Sequence, residues 1–391
     1  MISVSEALSI IDQSVVHSEV VAVSLQEAQG CILVEDVYAP IHMPPFRQSA
    51  MDGYAIKWSE QKDYEVIGEI QAGSVSETAI DTSQAIRIFT GAPVPESADT
   101  VIIQEHVTRN GNIITIDQLP KKGANIRPIG EQVEQGKQVL KKGLQLNEAA
   151  IGFLAGLGLT EVKVYKKPSV TIVTTGDELQ PAGEPLKPGC IYESNGLMLQ
   201  MALRRLGVLD VKIYKAKDDL QATQEVLEIA IQESDVILIS GGISIGDYDF
   251  VKEALEYNEV GELFYKVNQK PGKPLWFGKK EEKLVFALPG NPGSSLTAFY
   301  VYVLPALRKI MGHTQNHLVT KTATLSEEIK NPVGKTLFMK AQLIDDQLVP
   351  LTGQASSMLN SLAIANALLI VPGTISAYKQ NDQVTYLDLN F

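Results

Sequence analysis

The sequence predicts a multidomain α/β protein built around a central doubly wound, parallel-type sheet. Three observations predict it. Between Lys166 and Gly312 buried-strand runs alternate with helical stretches, the grammar of a parallel sheet covered by helices on both faces. On either side the chain turns to short strands separated by Gly, Pro and Asn turns, which mark separate β-rich bodies. At 391 residues it exceeds one ordinary domain, and about two to four are expected.

Taken in order, "MISVSEALSIIDQSVV" reads as an amphipathic helix, since it lacks the basic start and apolar centre of a secretory signal. "MPPFRQSAMDGYAI" follows, in which Asp52-Gly53 alone would be a turn. Residues 46–132 hold the alternating runs "QAIRIFTG", "DTVIIQEHV" and "NIITID", a β-rich insertion. Residues 133–167 supply turns and the apolar helix "NEAAIGFLAGLG". The α/β stretch starts at the strand "SVTIVTTGDEL". The helix "NGLMLQMALRRLG" follows, with Leu197, Met198, Met201 and Ala202 expected on its buried face. The strand "VKIYKA" leads to a helix opened by Asp218 and Asp219, with Leu220, Thr223, Leu227, Ala230 and Ile231 on one side. "DVILISGG" and "KLVFALPGNPG" are two further buried strands, and a long helix ends at Gly312. Beyond His313, "TATLSEEI", "LFMKAQLI", "QLVPLTG", "ALLIVPG" and "QVTYLDL" predict a small barrel or sandwich.

Composition narrows the function classes. Hydrophobic content of 45% with 20% charged residues is that of a folded soluble protein. No apolar run reaches the ~18 residues that a membrane span needs. Cys31 and Cys190 are too far apart in sequence to suggest a disulfide framework or thiolate metal site, which fits the cytoplasm. A net charge of −12 speaks against a nucleic-acid partner.

Five features fall at the carboxyl ends of predicted strands, where ligands of open parallel sheets bind. They are Asp177-Glu178 in "TTGDEL", Asp218-Asp219, the "SGGISIGDYDF" turn with Asp247 and Asp249, the basic stretch "YKVNQKPGKPLWFGKK", and "LPGNPGSS". In the last, Asn291 can cap the helix, Pro292 suits its first turn, and Ser294 and Ser295 offer hydroxyl and N–H groups to an anion. Of the five lysines in the basic stretch, Lys266, Lys270 and Lys273 favour an anion, whereas Lys279 and Lys280 read as solvent lysines. Glu178, Asp218 and Asp249 would repel that anion unless a divalent cation lay between. The combination predicts a phosphate-bearing ligand and a Mg²⁺-like ion. His313 and His317 have i,i+4 spacing, but Gly312 reads as a helix stop before them, which disfavours a zinc pair.

The segments "PPFRQSAMDGYA", "IFTGAPVPESADTVIIQE", "TTGDEL", "SGGISIGDYDF", "KPGKPLWFG" and "LPGNPGS" resemble, colinearly from about residue 3 onward, the motifs of the molybdopterin molybdenumtransferase (MoeA) family, which includes the E domain of gephyrin. The resemblance implies a four-domain subunit. Residues 1–45 and 133–167 would form an elongated linker and dimerisation domain, 46–132 the β-rich insertion domain, 168–314 the α/β molybdopterin-binding domain, and 315–391 a small β-barrel. It also implies insertion of molybdenum from molybdate into adenylylated molybdopterin with release of AMP, Mg²⁺-dependent, in a homodimer whose active site is shared between subunits. The molybdopterin adenylyltransferase is the partner to expect. On the same basis Glu178, Asp218 and Asp249 are metal-binding and catalytic carboxylates, and Asp52 a further catalytic one. Thr90, Arg127, Gly241, Gly242, Ser244, Lys266, Lys270, Lys273, Pro289, Gly290, Asn291, Pro292 and Ser294 bind substrate. Two positions depart from the family pattern: Gln132 follows Gly130-Glu131 where an aspartate is common, and Glu193 stands in "YESNG" for a frequent aspartate. The alternatives are a molybdopterin-binding or scaffold protein of the same fold without transferase activity, and a tungstate-using homologue.

Overall fold

The computed structural model describes residues 1–74, 78–243 and 250–391. The chain separates into two compact units. One comprises residues 1–23, 28–34 and 163–391, the other residues 24–27 and 35–162.

The first unit carries the doubly wound sheet. Val211–Ala216, Val170–Thr175, Val236–Ser240 and Lys283–Leu288 lie side by side in that order, all parallel. Val170–Thr175 and Val236–Ser240 are buried at every position, as expected of strands with helices on both faces. One face packs against Leu199, Leu203, Phe299 and Leu307, and also against Ala7 and Ile11 of the N-terminal helix. The other face packs against Leu227, Ile231, Val251 and Leu255. The N-terminal helix, Val4–Ser14, starts in a capping box between Ser3 and Glu6. The parallel register brings Thr175, Ala216, Ser240 and Leu288 to one edge of the sheet, so the loops that follow them converge there.

Two expectations about this sheet change. The basic stretch runs from the last residue of one strand to the last of the next: Gly261–Tyr265 and Trp276–Lys280 are antiparallel strands that extend the sheet past Lys283–Leu288. Lys280 is therefore no free solvent lysine; its Nζ donates to the Asn258 carbonyl and meets Glu259. The helix Asn195–Arg205 also buries a different stripe, Asn195, Gly196, Leu199, Ala202 and Leu203. Leu197 and Met201 are exposed. This helix is apolar on more than one face, so periodicity alone could not choose the face that meets the strand Val170–Thr175. Leu220–Glu233 follows its expected stripe, with Thr223, Leu227, Ala230 and Ile231 buried.

The C-terminal strands close on themselves. Thr336–Ile344 pairs with both Gln347–Pro350 and Ala367–Val371, and Thr320–Leu325 with Gln347–Pro350 and Gln383–Asp388. Ala367–Val371 and Gln383–Asp388 complete the ring, a barrel and not a sandwich. The two-residue strand Gln269–Lys270 pairs in parallel with the start of Thr336–Ile344 and so ties the basic stretch to the barrel.

The second unit is built on a six-stranded sheet with Gly53–Ile56 second from one edge, between Thr100–Ile103 at that edge and Gln84–Ile88. Tyr54 and Ile56 pack into one apolar cluster and Ala55 into another, so this short strand is buried on both faces. Gly53 admits no side chain, because a Cβ there would lie 1.8 Å from the Ile102 carbonyl oxygen.

Candidate active site

At the carboxyl edge of the parallel sheet lies a cleft of about 720 Å³. Glu178, Glu193, Asp218, Gly241, Gly242 and Gly290 are among its lining residues. Its described lining holds three carboxylates and no lysine or arginine. The carboxylates are placed by backbone geometry. Gly176 has φ +135°, and a Cβ on it would meet the Glu178 carboxylate at 2.6 Å, so glycine at 176 is what lets Glu178 fold over the turn. The Asp177 N–H donates to Asp218 Oδ2 at 3.1 Å, which joins the loops after two neighbouring strands. Asp219 is the helix cap, accepting from the Ala222 N–H at 2.9 Å, and Asp218 is left to the cleft.

Gly241 and Gly242 have positive φ, and a Cβ on either would crowd Thr175 Oγ1 at 2.8 and 2.9 Å. Their glycines are demanded by the neighbouring strand end as well as by the cleft.

Sharing a wall with this cleft is a second cavity of about 420 Å³. Pro274, Pro289 and Asn291 line both. Lys270, Lys273 and Lys335 line the second cavity together with Gln354 and Ser356 of the barrel, and its described lining holds no acidic residue. The single mixed-charge site expected from sequence is thus resolved into an acidic cleft and a basic pocket on either side of one wall. Lys266 lines neither cavity; its ammonium sits 4.4 Å from the Tyr265 ring centroid.

The turn "LPGNPGSS" behaves differently from expectation. Asn291 occupies the N-cap position with Pro292 in the first turn, but its side chain does not cap. Its Nδ2 donates instead to Ser356 Oγ at 3.0 Å. The Ser294 and Ser295 N–H groups are already taken, by the Ser356 and Asn291 carbonyls. The barrel loop has claimed the Ser294 donor, and the helix itself has claimed that of Ser295. Positive charge in the pocket therefore comes from lysines, with Ser294 as a lining residue.

In the second unit Asp52 and Thr90 come together. Asp52 Oδ1 accepts from the Thr90 N–H at 2.8 Å and the Thr90 hydroxyl at 2.7 Å. These bonds, the backbone one first, hold the carboxyl below the usual aspartate range. Arg47 turns away to the Pro95 and Ala98 carbonyls, a structural clamp. Arg127 is exposed on a two-residue strand paired with Gln48–Ser49. The backbone N–H of Gln132 donates to the Met43 carbonyl.

Asp249, Ser244 and Asp247 lie outside the described residues. Among the described residues no three His, Cys, Asp or Glu side chains gather to hold a metal ion. Glu178 and Asp218 still form an all-oxygen pair in one cleft, which suits Mg²⁺, an ion often held by one or two carboxylates plus ligand phosphates. No helix among the described residues is long and apolar enough to cross a membrane.

Three family models cover nearly all of the chain. They are described as "MoeA N-terminal region (domain I and II)" over residues 2–158, "Probable molybdopterin binding domain" over 171–309, and "MoeA C-terminal region (domain IV)" over 322–389. The molybdopterin molybdenumtransferase of Staphylococcus epidermidis is 36% identical, across 98% of this chain and 94% of its own. The chain belongs to the molybdopterin molybdenumtransferase family. A Haemophilus influenzae member is 40% identical over 75% of this chain and 73% of its own length. Two crystal structures of the Pyrococcus horikoshii molybdopterin biosynthesis MoeA protein share the fold. One superposes with a TM-score of 0.82 at 29% identity, covering all of both chains, and the other with 0.78 at 32% identity, covering 99% and 100%. The multidomain α/β architecture with a terminal barrel is therefore that of the molybdenumtransferases.

Sequence reasoning missed Asn195, Ser240, Gln354 and Ser356. All four line the two cavities. The burial that marks Asn195 is a property of the fold and not of the local sequence; Gln354 and Ser356 come from a barrel loop that no local motif marks.

Proposed function

We propose that this chain is the enzyme that completes molybdenum cofactor assembly: it inserts molybdenum from molybdate into adenylylated molybdopterin and releases AMP. The observation that carries this is the common wall of Pro274, Pro289 and Asn291 between an acidic cleft and a basic pocket. A reaction that hydrolyses a metal-assisted pyrophosphate link, with AMP leaving, and inserts the metal of an inorganic oxyanion draws on those two chemistries side by side. Lys270, Lys273 and Lys335 hold molybdate. Gly241, Gly242, Pro289 and Gly290 shape the cleft around the pterin and its pyrophosphate. Glu178 and Asp218, with Asp249 from the sequence, hold Mg²⁺, which when bound offsets phosphate charge as the link breaks. The protein acts as a cytoplasmic homodimer, with Asp52 and Thr90 of one copy serving the cleft of the other.

The test is AMP release by the purified protein from adenylylated molybdopterin, with and without molybdate and Mg²⁺. Release that depends on both is the expected result. Tight pterin binding without release would make this a binding or scaffold protein. Equal turnover in EDTA would remove the metal from the scheme, and a preference for tungstate would reassign the oxyanion.

A further inference from the structure

The side chain of Asn195 does something that neither the cleft carboxylates nor the lysines do. Asn195 begins the helix Asn195–Arg205 and is only 9% exposed. One nitrogen, Nδ2, donates to Ser240 Oγ at 2.8 Å and to the Gly290 carbonyl at 2.7 Å. Ser240 ends one parallel strand and leads into Gly241-Gly242; Gly290 follows the next strand and leads into Asn291-Pro292. All three bonded residues line the acidic cleft. The two turns are closely packed: a Cβ on Gly290 would sit 3.5 Å from the Gly241 Cα. Glycine is conformationally permissive and brings no side chain to pack, and the backbone bond between the strand ends here, from the Gly241 N–H to the Leu288 carbonyl, is 3.3 Å. Two N–H bonds from one atom, directed at both turns, supply what the turns lack. The Oδ1 atom of the same amide is buried with no partner among the described residues, so the contacts this amide makes are those of its nitrogen.

We propose that Asn195 is a positioning residue that fixes the Ser240-Gly241-Gly242 and Pro289-Gly290-Asn291 turns relative to each other, and so pre-shapes the cleft for its pyrophosphate-linked pterin. The ligand part rests on the function proposed above; the positioning part does not. Aspartate has the same shape but presents oxygen to the Gly290 carbonyl, and alanine presents nothing.

The test uses full-length Asn195→Asp and Asn195→Ala. Backbone amide exchange is followed by mass spectrometry over residues 236–243 and 286–293 without ligand, together with the thermal midpoint and separate binding of adenylylated molybdopterin and of molybdate. Exchange should quicken in both turns, and pterin affinity should fall about tenfold, the effect of one or two lost hydrogen bonds. Molybdate affinity should change less, because the turn gives the basic pocket only Pro289 and Asn291 and none of its lysines. Unchanged exchange in both variants overturns the proposal. So does a parallel loss of molybdate binding, pterin binding and thermal midpoint, which would make Asn195 a general fold residue. Wild-type protein that binds no pterin would instead overturn the proposed function, and the exchange result would still decide whether Asn195 sets the turns.

Discussion

Lys340 is 1% exposed, and its ammonium bonds three carbonyls and a hydroxyl, with no carboxylate partner among the described residues. It projects from the barrel strand Thr336–Ile344, and its Nζ donates to the carbonyls of Gly353, Ala355 and Met358 and to Ser361 Oγ, at 2.6 to 3.0 Å. Burial pushes the ammonium below its usual range. The clamped loop carries Gln354, Ala355 and Ser356 into the basic pocket. Lys340→Met keeps the aliphatic stem and removes every donor. Ser361 Oγ already bonds the Gly353 and Met358 carbonyls, at 2.8 and 3.2 Å, but its one hydrogen serves one of them at a time. One carbonyl, that of Gly353 or Met358, is left unpaired at about 1–3 kcal/mol, because the Ala355 carbonyl keeps the Met358 N–H. Relief of the buried charge offsets part of that, so a net loss of about 1–2 kcal/mol is expected. The loss is local, because the clamp closes a loop and not the barrel ring. Faster amide exchange confined to residues 353–361, with weaker molybdate binding and intact pterin binding, is the predicted result. If Lys340→Met leaves both loop exchange and molybdate affinity at wild-type values, the clamp does not shape the pocket.

Gly176→Ala forces a side chain onto a positive φ and into the space of the Glu178 carboxylate; a stability loss of about 1–3 kcal/mol should accompany a drop in AMP release, read by calorimetry and turnover. Thr90→Val removes the hydroxyl but not the backbone N–H that bonds Asp52, so NMR titration should find the Asp52 pKa raised only part of the way to its ordinary value. His313 has its pKa pushed down to about 4 by burial, with Arg308 adding to the effect. Between pH ~6.5 and ~4 the unfolded chain therefore binds a proton that the folded chain does not, and stability falls as pH falls through that window. Denaturant titrations of His313→Gln should lose that part of the acid sensitivity, and an unchanged slope would refute it.

What the sequence made legible was the part whose signal is local. A strand buried on both faces reads as an unbroken apolar run, so Val170–Thr175 and Val236–Ser240 announced the parallel sheet, and its carboxyl edge announced where Glu178 and Asp218 would be found. The separation of charge was not legible. It depends on Gln269–Lys270 adding to a barrel strand that begins at Thr336, a pairing that joins segments far apart in the chain. The free N–H assigned to Ser294 failed for the same reason, since Ser356 from the barrel occupies it, whereas the Ser295 N–H is taken locally by the Asn291 carbonyl. Asn195 and Lys340 were invisible because their value lies in which carbonyls surround them. The buried face of Asn195–Arg205 was undecided in a sequence with apolar residues on several sides.

An acidic chain that handles two anions has to solve its electrostatics locally. The net charge of −12 is spread over 391 residues, and salt screens exposed charges beyond about 8 Å at physiological ionic strength. What an approaching oxyanion meets is therefore the lining of the pocket it enters. Lys270, Lys273 and Lys335 face it there without an acid in the described lining, while Glu178, Glu193 and Asp218 stand on the other side of the proline wall. Had the two sets been intermingled, each lysine would have paired with a carboxylate and offered less positive charge to an anion. The wall itself cannot be charged or flexible without undoing that separation, and Pro274 and Pro289 are neither. A charge placed in it, as in Pro289→Asp, should weaken molybdate binding through the pocket's potential even though no lysine is touched. Raising the ionic strength should then shrink the difference between that variant and wild type; a gap that persists at high salt would mean the proline acts through shape alone.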